Sequence, residues 1–286
     1  MFLIIGIVVV LLCVFGGFLM IDGPLGVLMQ PSEFVVIGGA AIGALIAANP
    51  LKFLMLITKK LPAALKGSPY TKTAYSELLQ VQYDIYVNSK KNGVLSIEED
   101  VNEPHSSTVF TKYPTFTKNH HAVDFFCDGL KMLVNGACQP DELEIMLESE
   151  LETHHEENAL VPSMLQRVSD ALPGLGIVAA VLGIVVTMQH LDGPPEELGH
   201  HVGAALVGTF LGLLLSYGML APIATNLENL AHDESKYFNC IKAGLIAFAN
   251  GSAPSTAVEF ARKTIFSFDR PTSSEIEPIL KEIKPR

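Results

Sequence analysis

The sequence predicts an all-α polytopic membrane protein with four transmembrane helices and a helical cytoplasmic domain. Three observations lead there. All 19 lysines and arginines fall within residues 52–167 or 236–286. Four apolar stretches, at approximately 2–21, 34–57, 168–190 and 201–226, fill the regions poor in those residues. Outside them the patterning is helical, with no convincing strand and no internal repeat. A helix rises about 1.5 Å per residue, so about 20 apolar residues cross a hydrocarbon core of about 30 Å. Basic segments resist translocation, which places both termini and segment 58–167 on the cytoplasmic side.

The first span, 1–21, has neither a basic leader nor an Ala-x-Ala cleavage site, and a second span follows closely, so it reads as retained. Residues 22–33 form a short outer loop with two prolines. The second span, 34–57, carries small residues four apart: Gly39, Gly43 and Ala47, flanked by Ala40, Ala44 and Ala48. Segment 58–167 holds 16 acids and 10 bases in about 110 residues, enough for its own core. Lys59 and Lys60 open it, suited to an anionic inner leaflet. Tyr75, Leu78, Leu79, Tyr83 and Val87 recur at helical spacing and predict an amphipathic helix over 70–92, stopped at Gly93. Ser96 and Glu99 have capping-box spacing and predict a short helix ending before Pro104. Helices are also predicted over 122–135 and 140–157. The second of these has eight acids on a solvated face and Leu143, Met146, Leu147 and Leu151 toward a core.

The third span, 168–190, pairs Gly176 with Ala180 and Ala179 with Gly183. The fourth, 201–226, aligns Ala204, Gly208, Gly212 and Ser216. Residues 191–200 make a second short outer loop. Such ridges let backbones approach closely in lipid, and three ridged spans exceed what one small bundle needs, which predicts an oligomer. Helix is expected to continue over 226–248 within the cytoplasmic segment 227–286, with a polar, loosely ordered tail from residue 267.

The spans are short of charge. Between His201 and Asn226 the sole ionisable side chain is the Tyr217 phenol, and between Asp170 and His190 there is none. A proton relay needs carboxylates or histidines at depth, so a partner has to supply the titrating group. The polar side chains on offer are neutral: Thr187, Thr209, Ser216 and Tyr217. A helical threonine hydroxyl usually satisfies itself on its own i−4 carbonyl. Pro173 and Pro222 lie at the inner ends of the third and fourth spans, where each removes a helix hydrogen bond and marks a candidate hinge. No Ser/His/Asp set or carboxylate pair suits intramembrane hydrolysis, and the chain reads as a non-enzyme without cofactor. The pairs His120/His121, His154/His155 and His200/His201 lack companions at metal-ligand spacing. Cys13, Cys127, Cys138 and Cys240 do not form a disulfide framework, because three lie on the inner side and one in a span.

Several stretches resemble the flagellar stator subunits of the MotA/TolQ/ExbB proton-channel superfamily. They are LPGLGIVAAVLGIV in span three, GAALVGTFLGLLLSYGMLAPIA in span four, the cytoplasmic NSKKNGVLSIEEDVNEP, AVEFARKTIFS near the end, and the opening VFGGFLMIDGPLGVLMQPSEFVVIGGAAIGA. The resemblance runs from Met1 to about Lys284. It implies an inner-membrane ring of five copies around a MotB-like single-span protein, whose aspartate binds the proton. It places the proline pair at Pro173 and Pro222 and the channel threonine at Thr209, with Tyr217 in the same signature. Sodium-driven relatives carry a second threonine at the position of Ala180, so the alanine implies protons. Rotor contacts with FliG fall on Lys90 and Glu98, and Glu150 lies near a further charged position. The family commonly has arginine at the position of Lys90, and lysine keeps the charge but not the planar fork. The alternative load is that of the ExbB/TolQ energisers of outer-membrane processes, which share the small-residue hairpin.

Overall fold

The computed structural model describes residues 2–189 and 194–283. Among them every regular element is a helix. In chain order these are α1 (Phe2–Met20), α2 (Leu25–Leu28), α3 (Pro31–Ala48), α4 (Leu51–Lys60), α5 (Ala63–Lys66), α6 (Lys72–Asn92), α7 (Glu98–Asn102), α8 (Pro114–Thr117), α9 (His120–Val134), α10 (Pro140–Met188), α11 (Pro195–Leu215), α12 (Ala221–Ala249), α13 (Pro254–Thr264) and α14 (Ser273–Glu282). A π turn, Ser216–Leu220, joins α11 to α12. Four helical stretches are long and apolar enough to cross a membrane: Phe2–Met20, Leu25–Ala48, Pro140–Met188 and Pro195–Ala249. The expected outer end of the third span, His190, and residues 191–193 of the second loop lie outside the described residues. So does Lys284, at the end of the family resemblance.

The chain divides into two compact units, Met1–Gly67 with Asn158–Leu230, and Ser68–Glu157 with Ala231–Arg286. In the first, glycine decides how two helices pack. A Cβ on Gly176 of α10 would meet the Gly208 carbonyl oxygen at 2.7 Å, and one on Gly212 of α11 would meet the Leu172 oxygen at 2.6 Å. Only a hydrogen fits at these crossings, so the ridges expected on the third and fourth spans are spent on each other. Helix α3 differs. It buries a single stripe, Glu33, Ile37 and Ala41, while a Cβ on Gly38, Gly39 or Gly43 would meet nothing within 4 Å. Helix α1 buries no residue fully.

The second unit has a conventional core. Leu78, Leu79, Val81 and Ile85 of α6 pack with Phe125 and Phe126 of α9 and with Phe238, Ile241 and Leu245 of α12. The Tyr86 ring stacks on Phe248 with centroids 4.4 Å apart. Thr71 caps α6 by accepting from the Ala74 amide, and Asn119 caps α9 by accepting from Ala122. Helix α6 stops at Gly93, whose φ of +89° favours glycine. The buried Asp84 carboxylate accepts from Lys112 Nζ at 3.0 Å, Asn88 Nδ2 at 3.0 Å and the Tyr113 hydroxyl at 3.3 Å.

Three expectations are corrected. The capping box at Ser96 and Glu99 does not form. A 3₁₀ turn over Val94–Ile97 follows Gly93, the Ser96 hydroxyl donates back to the Gly93 carbonyl at 2.6 Å, and α7 starts at Glu98 without a side-chain cap. The capping box lies instead at Thr272 and Glu275, opening α14. The tail expected to be loose is therefore helical there, and it buries Ile276 and Leu280 in the second unit's core. The helix predicted over 140–157 and the third span are one continuous helix, with Pro162 and Pro173 inside it.

Candidate functional site: the crossing of α10 and α11

Thr209 and Ala180 each lie against a glycine of the other helix where α10 crosses α11. The Gly176 position faces the Thr209 Cα, and the Gly208 position faces the Ala180 nitrogen, each with room for only a hydrogen. Both residues are half-buried. The Thr209 hydroxyl has no partner among the described residues, whereas Thr187 donates to its own i−4 carbonyl, Gly183, at 2.8 Å. Tyr217 is set apart, since its ring is 66% exposed and sits on the π turn.

Pro173 and Pro222 come with a device that the sequence does not disclose. Pro173 has no amide hydrogen, so in an α-helix the Ser169 carbonyl loses its donor. The Ser216 hydroxyl supplies one, donating to the Ser169 carbonyl at 2.7 Å. Ser169 Oγ reciprocates toward Ser216, 3.1 Å from its Oγ and 3.3 Å from its carbonyl oxygen. Both serines are fully buried. Ser216 also opens the π turn, in which the Ala221 amide donates to the Ser216 carbonyl five residues back. The wide turn ends two residues before Pro222, so the second proline follows a helix already loosened.

A carboxylate that the sequence does not single out is buried beside this crossing. The hydropathy pattern places Glu33 in the outer loop. It is instead in the first turn of α3, 7% exposed, and packed against α11. A Cβ on Gly208 would lie 2.4 Å from Glu33 Oε2. That oxygen is buried with no hydrogen-bond partner among the described residues. Pro31 at the first helical position is the available signal, because it marks a helix start two residues before Glu33.

In the second unit, Lys90 is exposed in the last turn of α6 and Glu98 is exposed in the first turn of α7. Neither has an ion-pair partner among the described residues. Glu150 is exposed on α10, and partial desolvation, aided by the Asp128 charge, raises its carboxyl pKa. Folding brings the His121 ring to His154, centroids 5.8 Å apart, and His105 to His120 at 5.2 Å, contacts that spacing along the chain does not suggest. No group of three metal-ligating side chains occurs among the described residues. All four cysteines are free, and burial pushes the Cys127 and Cys240 thiols up to about 12, which removes thiolate chemistry at neutral pH.

Two family models match the chain, and each match takes in residues of both units. Residues 4–93 match the motility protein A N-terminal model, and residues 117–239 match the MotA/TolQ/ExbB proton channel family. Motility protein A of Escherichia coli is 40% identical over 284 residues, 99% of this chain and 96% of that protein. Chemotaxis protein LafT of Vibrio parahaemolyticus is 36% identical over 277 residues, 97% of each. The fold is shared with C. jejuni MotAB (TM-score 0.79, 20% identity, covering 94% of this chain and 98% of that one). It is also shared with the flagellar MotAB stator complex from Bacillus subtilis (TM-score 0.71, 20% identity, 98% of each chain). An all-helical chain whose apolar helices cross at paired glycines, and whose sequence follows these relatives almost end to end, belongs to the motility protein A family of MotA/TolQ/ExbB proton channels.

Proposed function

We propose that this chain is a stator subunit of the bacterial flagellar motor, coupling proton flow through a complex with a MotB-like partner to torque on the rotor. The observation that carries the proposal is identity of 40% to a motility protein along 99% of the chain. The ExbB/TolQ load has less support, since the relatives matched along the full length are motility and chemotaxis proteins.

In this proposal the chain crosses the inner membrane four times, with both termini and segments 58–167 and 227–286 in the cytoplasm. Five copies form a ring around the partner's single spans. The open glycine face of α3 and the uncovered α1 support assembly with lipid and neighbours. Thr209, Ala180 and Tyr217 line the ion path, and the partner's aspartate is the coupling site. Ala180 adds no hydroxyl oxygen to a cation shell, which favours protons over sodium. When the aspartate is neutralised, the packing of α10 and α11 around it changes. Pro173 and Pro222 pass that change toward the cytoplasm, where Lys90, Glu98 and Glu150 push on charged residues of FliG. One elementary charge falling through 100 mV releases about 2.3 kcal/mol, so sustained torque needs many protons and several stators.

Thr209→Val keeps the shape of the side chain and removes its hydroxyl. In a stator-deleted host the variant is expected to assemble at the wild-type level and to impair swimming. Normal motility from Thr209→Val would take the hydroxyl out of the mechanism. Failure of the wild-type chain and its partner to restore any motility would overturn the proposal itself.

A further inference from the structure

Glu33 has no structural task that accounts for its position. An acid in the first turn of a helix usually stabilises the exposed amides or reaches back to the N-cap nitrogen. Glu33 makes no such bond, and the N-cap residue of α3, Gln30, has no side-chain cap. The carboxyl lies instead against α11, where Oε2 occupies space that any residue larger than glycine at 208 would need. The Ala179 Cβ and the Ala180 nitrogen surround the same point, 3.0 and 3.2 Å from where a Gly208 Cβ would stand. Gly208 is seven residues past His201, about 10 Å of helix rise inside the outer end of the fourth span.

Among the described residues no hydrogen-bond partner reaches the buried Glu33 Oε2. Ala179, Ala180 and Gly208 are apolar, α2 contains no titratable residue, and α3 contains none besides Glu33 itself. On α11 the titratable groups are Glu196, Glu197, His200 and His201, about two to three turns before Gly208. On α10, no ionisable residue lies between Asp170 and Met188. An ionised carboxyl buried without a partner carries a penalty of several kcal/mol in order of magnitude, and a bound proton removes that charge. Thr209, whose hydroxyl is free among the described residues, follows Gly208 directly in the chain.

We propose that Glu33 is a proton-carrying side chain of the stator, a second titrating site on this chain placed on the outer side of the α10–α11 crossing. Its carboxylate takes a proton from outer water, releases it toward the partner's acid, and returns to the carboxylate form. This rests on the stator assignment for the direction of transfer, and on geometry alone for the binding of the proton.

The test uses the full complex, co-expressed with its single-span partner and reconstituted in vesicles. Proton uptake against external pH is compared for wild type, Glu33→Gln and Glu33→Asp. Infrared difference spectra of the same preparations follow the protonated-carboxyl stretch. Glu33→Gln is expected to co-purify with the partner, to lower uptake about tenfold or more, and to lose one titrating carboxyl band. Glu33→Asp is expected to recover part of the uptake and to move the band. Unchanged uptake and pH profile in Glu33→Gln would overturn the relay while leaving the stator assignment intact. If Glu33→Gln fails to assemble, a wild-type carboxyl band that titrates and moves with Glu33→Asp supports proton binding, and its absence overturns it. A wild-type complex that takes up no protons but shows the Glu33 band titrating would leave the proton site standing and remove the stator assignment.

Discussion

Ser169 and Ser216 convert the loss of one backbone donor into a tie between two helices. Pro173 releases the Ser169 carbonyl, and a hydroxyl from α11's end answers it. A buried carbonyl left without a donor costs about 1–3 kcal/mol. Ser216→Ala is therefore expected to lower the unfolding free energy of the purified protein in detergent by that amount. In a Pro173→Ala background the same substitution should lose much of its effect, because residue 173 again donates to Ser169. Equal losses in both backgrounds would show that the two groups are not coupled. Pro173, Thr209 and Ser216 are all visible in the sequence as unusual members of apolar spans. Ser169 is not, because its significance depends on which residue faces it across a helix pair, and periodicity along one helix carries no cross-helix register. Glu33 escapes for a related reason: hydropathy separates loop from helix, and the boundary falls on the polar side of Pro31. In the second unit, Asp84 is equally hidden. Asp84→Ala removes the acceptor shared by Lys112, Asn88 and Tyr113 and is expected to destabilise by about 1.5–3 kcal/mol in chemical denaturation.

Among the elements, α14 shows how a short polar segment is held. Thr272 and Glu275 form a reciprocal cap, and Lys72 Nζ lies 2.8 Å from Glu275. These bonds, Lys72 foremost, bring the Glu275 carboxyl from its ordinary 4.5 to about 2. A carboxyl depressed by folding stabilises the folded form above its unfolded pKa and loses that contribution as pH falls through its folded one. The contribution of the Glu275 carboxylate to holding α14 is thus expected to be present above about pH 4.5 and lost near pH 2, read as a fall in amide exchange protection at Ile276 and Leu280. Thr272→Ala should loosen the helix by about 1 kcal/mol at neutral pH. The sequence reveals α6 and α9 through their apolar periodicity but conceals α14, whose ten residues carry only two buried side chains. It also suggests a break between residues 157 and 168, where acids give way to apolar residues. A change of solvent need not interrupt a helix, and α10 continues through it, with two internal prolines. The opposite failure occurs at Ser96, where the motif has the right spacing but Gly93 turns the backbone first.

At the scale of the molecule, composition is the most legible feature. The distribution of lysine and arginine by itself divides apolar from polar chain, and the first structural unit draws on the apolar stretches. What composition does not carry is which apolar surfaces meet within one copy. The purified chain alone, in liposomes, is expected not to dissipate a pH gradient, because Glu33 has no second acid to hand its proton to. Rapid dissipation by the chain without partner would contradict both the borrowed coupling site and the proposed transfer step. The unfilled side of α3 has its own implication. Gly38, Gly39 and Gly43 present bare backbone to which a methyl could be added without touching another atom of the same copy. A solitary molecule would register Gly43→Ala only as alanine's better helix propensity, about 1 kcal/mol toward the folded form. Any loss it produces is sensed by company, lipid or kin, so a weakened complex reports sociability rather than foldedness.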